Sequence, residues 1–207
     1  MSLTGWWNRT RYRLYAPIYD RIARPLERAR QRAIDQVGPE PGDRILLLGC
    51  GPGPDLRCLP AGTRITAVDS APEMVRRAAR RAGELGHEVD ARVGDARDLD
   101  LQDDAFDVVL LHLILSVVRD PRAVATETSR VLGPGGRVSI LDKFVPEGEE
   151  PSLLRRILNP AARLLFSDLT RRLGPILAGT GLRAQRREPA LGGLYTIAVA
   201  RRAPADP

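Results

Sequence analysis

Hydrophobic positions along this chain follow two periods. Short apolar runs at Asp43–Leu48, Thr63–Asp69, Glu88–Val93, Ala105–Leu113 and Arg137–Phe144 predict five strands, the first of them a continuous aliphatic run expected of a buried parallel strand. Helical spacing fills the intervals. Pro72–Leu85 is expected to be a helix with Ser70 as N-cap, Pro72 and Glu73 in its first turn, and Gly86 closing it. Pro121–Leu132 is a second, stopped by the glycines of the Gly133–Gly136 run. Strands alternating with helices are the pattern of parallel βαβ units. Two alternating runs, Leu182–Glu188 and Leu194–Arg201, then meet across Gly192 and Gly193 as an edge hairpin. The predicted fold is α/β, a doubly wound, mostly parallel seven-stranded sheet with a C-terminal antiparallel hairpin and an N-terminal helical arm.

Composition narrows this picture to one domain. The chain has 207 residues, 43% hydrophobic and 28% charged, enough for one core and too apolar for a disordered segment. No run of 18 apolar residues occurs, so no membrane span is expected. Residues 1–20 hold no uninterrupted apolar stretch, and no secretory signal is expected there. Cys50 and Cys58, with His87 and His112, make a poor metal set and no disulfide framework. A reducing cytoplasm is the expected compartment, with peripheral attachment at the inner membrane face. His87, in a turn, reads as solvated.

Charge divides the chain unevenly. Residues 1–32 hold eight Arg against Asp20 and Glu27, while the remaining 175 residues balance 24 basic with 24 acidic groups. Trp6, Trp7, Tyr12, Tyr15 and Tyr19 share that first segment. Leu3, Trp6, Trp7, Thr10 and Leu14 form a helical stripe, with Arg9 and Arg13 beside it. Such a helix lies on an anionic bilayer or docks on the body's own sheet. A second basic amphipathic stretch, residues 151–177, carries Arg155, Arg156, Arg163, Arg171 and Arg172 against Asp168. Residues 1–37 are read as an arm, 38–203 as the body, and 146–178 as an insertion in it.

The candidate chemistry sits at the end of the first strand, Leu48-Gly49-Cys50-Gly51-Pro52-Gly53-Pro54-Asp55. Glycines there let backbone N–H groups approach a ligand, and Asp69, twenty residues on, is placed to accept both hydroxyls of a ribose. The spacing is G-x-G-x-G rather than the G-x-G-x-x-G of dinucleotide sites, and Asp55 in the next turn is expected to repel a pyrophosphate. A nucleoside-bearing cofactor without phosphate is implied.

Leu46–Gly53 (LLLGCGPG), Val68–Met74 (VDSAPEM), Gly94 to Ala96, Phe106–Val109 and Arg130–Val138 (RVLGPGGRV) resemble, in order and spacing, the motifs of class I S-adenosylmethionine-dependent methyltransferases. The resemblance implies a Rossmann-like body. It also implies that Gly49, Cys50, Gly51 and Gly53 line the cofactor's methionine moiety, with Asp69 on the ribose. Ser70 and Met74 would border the adenine, Asp95 and Ala96 would meet its amine, and Leu111 would complete the site. The family often has an acidic residue two positions before the first glycine; here Leu47 stands there. Tyr15-Ala16-Pro17-Ile18-Tyr19-Asp20 resembles a segment of bacterial phospholipid N-methyltransferases and related quinone methyltransferases that covers the cofactor, which implies cofactor or acceptor contacts for Tyr15 and Tyr19.

A sulfonium cofactor suits a loop without basic residues. The resemblance implies methylation of phosphatidylethanolamine or a related aminolipid, with residues 1–32 and 151–177 on an anionic membrane surface. Its amine must lose a proton, and His112, Tyr15 or Tyr19 could receive it; His112 reads equally as a packed strand-end histidine. Lys143, the single lysine, could bind an acceptor's phosphate or pair with Asp142 or Glu147. Competing readings are a quinone or other small-molecule C- or O-methyltransferase, an RNA methyltransferase and a non-catalytic cofactor-binding protein. Nucleic acid is disfavoured, because the body is electroneutral and shows no stacking platform.

Overall fold

A computed structural model describes residues 26–164 and 167–203. Seven strands form one sheet: β1 (Arg44–Leu48), β2 (Arg64–Asp69), β3 (Val89–Val93), β4 (Phe106–His112), β5 (Leu132–Asp142), β6 (Leu182–Ala190) and β7 (Tyr195–Arg202). Their order is β3-β2-β1-β4-β5-β7-β6, parallel from β3 through β5 and antiparallel at β7 and β6. The chain reverses direction of winding between β1 and β4, and such a reversal opens a crevice at the carboxyl ends of the strands.

Helices cover both faces, which is why β1 and β4 are almost wholly aliphatic. Residues 26–37 (α1) and α2 (Pro72–Leu85) pack with Ile45, Leu47, Val108 and Leu110 on one face. On the other, α3 (Pro121–Val131) and α5 (Leu173–Leu177) cover Leu46, Leu48, Val109, Leu111 and Ile140. Helix α4 (Leu153–Leu164) lies in the β5–β6 connection. The buried Leu26, Ala29, Ala33, Ile34 and Val37 place the last part of the expected arm inside the body's packing.

Local chemistry corrects two expectations. Helix α2 spans the expected residues, with Gly86 left-handed at φ 75° as its C-cap. Its N-cap, however, is Ala71, and no side chain caps it; Ser70 stands one residue too early and is exposed. Asp69 fixes the entry to the helix instead, its Oδ1 taking the Ala71 N–H at 2.9 Å. Strand β5 starts at Leu132, ahead of the glycine run rather than after it. Leu132 pairs with Phe106, and pairing resumes only at Arg137 with Val108. Gly133 to Gly136 bulge from the ladder between them.

Candidate active site

The loop after β1 is fixed by backbone bonds, with the Gly49 and Cys50 N–H groups both donating to Val68 O at 2.8 and 3.0 Å. Its three glycines have different reasons to be glycine. A Cβ on Gly53 (φ 74°) would stand 2.6 Å from Leu56 Cδ1 and 3.2 Å from the Ala78 Cα, so the protein's own packing forbids it. Gly49 is likewise crowded by Ile114. Gly51 (φ 53°) is different, because a Cβ there would meet nothing within 4 Å. Its bare face looks into open space beside Asp69.

Asp69 Oδ2 accepts the Gly51 N–H at 2.9 Å, so one carboxylate ties the glycine loop to the start of α2. An ionised carboxylate has about four lone-pair sites, and Asp69 retains two for ligand hydroxyls. Met74 is buried in the first turn of α2. Asp95, exposed after β3, has both oxygens on the Arg97 guanidinium, whose hydrogen bonds hold its carboxyl down to about 2. Ala96 packs on the α3-side core. Burial, helped by the Asp69 charge, pushes the Cys50 thiol up to about 12, so it is a protonated packing group. The Leu111 side chain is wholly inside the core and offers a ligand no surface, which corrects its expected place at the cofactor.

Below this loop lies a polar network that the sequence did not disclose. Asp55 stands in a 3-10 turn, Pro54–Cys58. It is buried, both of its oxygens accept from Arg30 Nη1 at 2.7 Å, and Oδ1 also accepts from His112 Nδ1 at 2.7 Å. His112 Nε2 lies 2.9 Å from Ser139 Oγ, which donates to the Ala33 carbonyl at 3.0 Å. Burial pushes the Asp55 carboxyl up, but the Arg30 and His112 charges outweigh it and hold it well below the ordinary carboxylate range. Two expectations change. Asp55 faces inward and repels no ligand, so the case against a dinucleotide rests on the glycine spacing. His112 has both ring nitrogens engaged beneath α1, and the geometry makes it a link between helix and sheet rather than a base for an acceptor.

The ends of β4 and β5 are joined by Asp142, whose oxygens accept the Ser116 and Lys143 N–H groups, each at 2.8 Å. Leu113, left-handed at φ 63°, turns the chain so that Ser116 reaches Asp142. Lys143 Nζ donates to Ser167 Oγ at 2.8 Å and sits 5.9 Å from the Tyr195 ring centroid. Burial lowers its pKa, with the Asp142 charge opposing. The expected ion pairs do not form: Asp142 is spent on backbone N–H groups, and Glu147 accepts from Arg187 and the Gly174 N–H.

The basic stretch at 151–177 turns much of its charge inward. Arg155 donates to the carbonyls of Phe144, Leu169, Gly193 and Leu194; Arg171 to Leu115 and Val118; Arg172 to Pro146 and Glu149. Leu153 and Ile157 are instead exposed, at 72% and 64%. Tyr15, Tyr19, Trp6 and Trp7, and with them residues 1–25 of the arm, lie outside the described residues. Among the described residues, no helix is long and apolar enough to cross a membrane, and no cluster of His, Cys, Asp and Glu could hold a metal.

Comparison with known proteins matches residues 46–140 to a family described as "Methyltransferase domain". Phosphatidylethanolamine N-methyltransferase of Cereibacter sphaeroides is 35% identical over 130 residues, 61% of this chain and 64% of that protein. The 2-phytyl-1,4-naphtoquinone methyltransferase of Synechococcus elongatus is 36% identical over 143 residues, 63% of this chain and 61% of that one. The chain thus spans less than two thirds of either relative. Among solved structures, a geranyl diphosphate methyltransferase in complex with SAM aligns with a TM-score of 0.71 over 86% of this chain and 85% of that one, at 19% identity.

Proposed function

We propose, from the match of residues 46–140 to the methyltransferase-domain family, that this chain transfers the methyl group of S-adenosylmethionine to the amine of phosphatidylethanolamine or a related aminolipid at a membrane surface. The observation that carries the cofactor reading is Gly51, whose missing Cβ faces open space beside Asp69. A glycine face bare of side chain, a carboxylate with lone pairs to spare and no basic side chain in the loop fit a sulfonium nucleoside without phosphate. On this reading Gly49, Cys50, Gly51 and Gly53 hold the amino-acid end and Asp69 the ribose. Ser70, Met74, Asp95 and Ala96 surround the base.

The bound cofactor supplies a methyl group already activated by its sulfonium. The chain's residues must then hold an acceptor nitrogen about 3–3.5 Å from that carbon and keep water away. An alkylammonium has a pKa near lysine's, about 10.4, and must lose a proton first. With His112 locked under α1, the proposal leaves Tyr15, Tyr19 and solvent to take it.

One observation favours a second reading. Arg155 of α4 is spent on carbonyls while Leu153 and Ile157 of the same helix are exposed, which suits a neutral lipophilic acceptor such as a quinone. Mass spectrometry of lipids and quinones from cells expressing the chain separates the two. Methyl increments on aminolipids support the first reading, and increments on quinones alone overturn it in favour of the second. Calorimetry with S-adenosylmethionine tests cofactor binding, and absence of heat would contradict both.

A further inference from the structure

We propose that Lys143, with the hydroxyls of Ser116 and Ser167, forms a subsite for the phosphate of the acceptor, an inference that rests on the aminolipid reading and names the part of the lipid the protein grips. The chain uses 31 arginines and a single lysine, and that lysine is at the carboxyl end of β5. Arg155, Arg171 and Arg172, in the connection that follows β5, are committed to carbonyls. Lys143 is not: its hydrogen-bond partner among the described residues is the neutral Ser167 Oγ. The adjacent Asp142 carboxylate is tied to the backbone N–H groups of Ser116 and of Lys143 itself and makes no ion pair with Nζ.

A partly buried ammonium that makes no ion pair among the described residues, with only the charge of Asp142 acting on it at a distance, is costly until an anion meets it. Three N–H donors on a compact head suit a phosphate oxygen. Ser116 Oγ lies 3.5 Å from Ser167 Oγ, so two hydroxyls and the ammonium converge at one place. The Tyr195 ring flanks Nζ. The position is also right. Strands β1, β4 and β5 are successive neighbours, so Lys143 stands two strand spacings, about 10 Å, from the glycine loop. The amine and phosphorus of an ethanolamine headgroup are four bonds apart, about 5 Å at ~1.5 Å per bond. An amine held at the loop's side of β4 therefore puts its phosphate within reach of Lys143. Ile114, packed against Gly49, and Ser116, two residues on, connect the two ends of that span.

The test is calorimetric, on the full chain, with inorganic phosphate and with glycerophosphoethanolamine as probes and S-adenosylhomocysteine as the cofactor control. Both probes are expected to bind the wild type. Lys143→Met is expected to weaken both by about 10-fold or more, and Lys143→Arg, which keeps the charge, by much less. Unchanged S-adenosylhomocysteine affinity in both variants shows that the fold is intact. Equal probe affinity in wild type and Lys143→Met overturns the subsite. Lys143-dependent binding of inorganic phosphate without binding of glycerophosphoethanolamine overturns the lipid headgroup as its source. Lys143-dependent binding of both probes in a wild type that fails to bind the cofactor would support the subsite and sink the methyltransferase reading instead.

Discussion

Gly51 and Gly53 are two residues apart, and their substitution separates binding from folding. Gly53→Ala forces a Cβ against Leu56 and the α2 backbone at a left-handed residue, at a cost of about 2–4 kcal/mol. Gly51→Ala meets no protein atom, so it loses only about 1–2 kcal/mol of backbone strain. Denaturant melts and cofactor titration together are expected to show Gly51→Ala folded but at least about 10-fold weaker for S-adenosylmethionine. Asp55 makes a different prediction. Asp55→Asn leaves Arg30 and His112 buried with no carboxylate between them, a loss of about 3–5 kcal/mol. The Asp55 carboxyl is held below its unfolded value. Its contribution is therefore complete above about pH 4, and fades as pH falls below that toward the folded value. Melts from pH 7 to pH 3 are expected to show wild-type stability declining only at the acid end, with Asp55→Asn low throughout. Gly51 and Asp69 could be read from the chain because their spacing belongs to one βαβ unit. The inward turn of Asp55 could not, since Arg30 lies 25 residues before it and His112 57 residues after.

At the level of elements, the strands and α2 were legible because a continuous apolar run or a 3.6-residue stripe must bury itself whatever its neighbours are. Ends were harder. Ser70 looks like a cap, yet α2 has no side-chain cap, and the β2 exit aims the Asp69 carboxylate at the Ala71 N–H just ahead of the helix. The Gly133–Gly136 run ends a helix as expected but sits as a bulge inside β5, since Leu132 finds a partner in Phe106 before the glycines begin. Basic residues at 151–177 were legible as charge and not as direction. Arg155 binds carbonyls from the β5 exit, the 167–171 loop and the β6–β7 turn. Arg155→Ala is therefore expected to loosen α4. Limited proteolysis should cut residues 146–178 faster than in the wild type, while sedimentation with anionic vesicles stays unchanged. Loss of vesicle binding at equal protease resistance would instead return Arg155 to the membrane face.

For the molecule as a whole, the +6 charge has two parts. Arg30 and Arg32, counted with the arm, are structural: Arg30 is buried on Asp55, and Arg32 pairs with Glu188 across α1 and β6. The cationic, tryptophan-bearing segment that remains for a membrane is residues 1–25. Deleting residues 1–14 is expected to reduce binding to anionic vesicles and leave S-adenosylmethionine affinity within about 3-fold; loss of cofactor affinity with unchanged vesicle binding would mean that the segment covers the cofactor instead. The central claim is methyl transfer to an aminolipid from a cofactor held by Gly51 and Asp69. The most direct measurement is the transfer of isotopically labelled methyl from S-adenosylmethionine to phosphatidylethanolamine in anionic vesicles by the purified chain. Label is expected in the lipid with wild type and absent with Asp69→Ala. A wild type that binds the cofactor but leaves the lipid unlabelled would contradict the account.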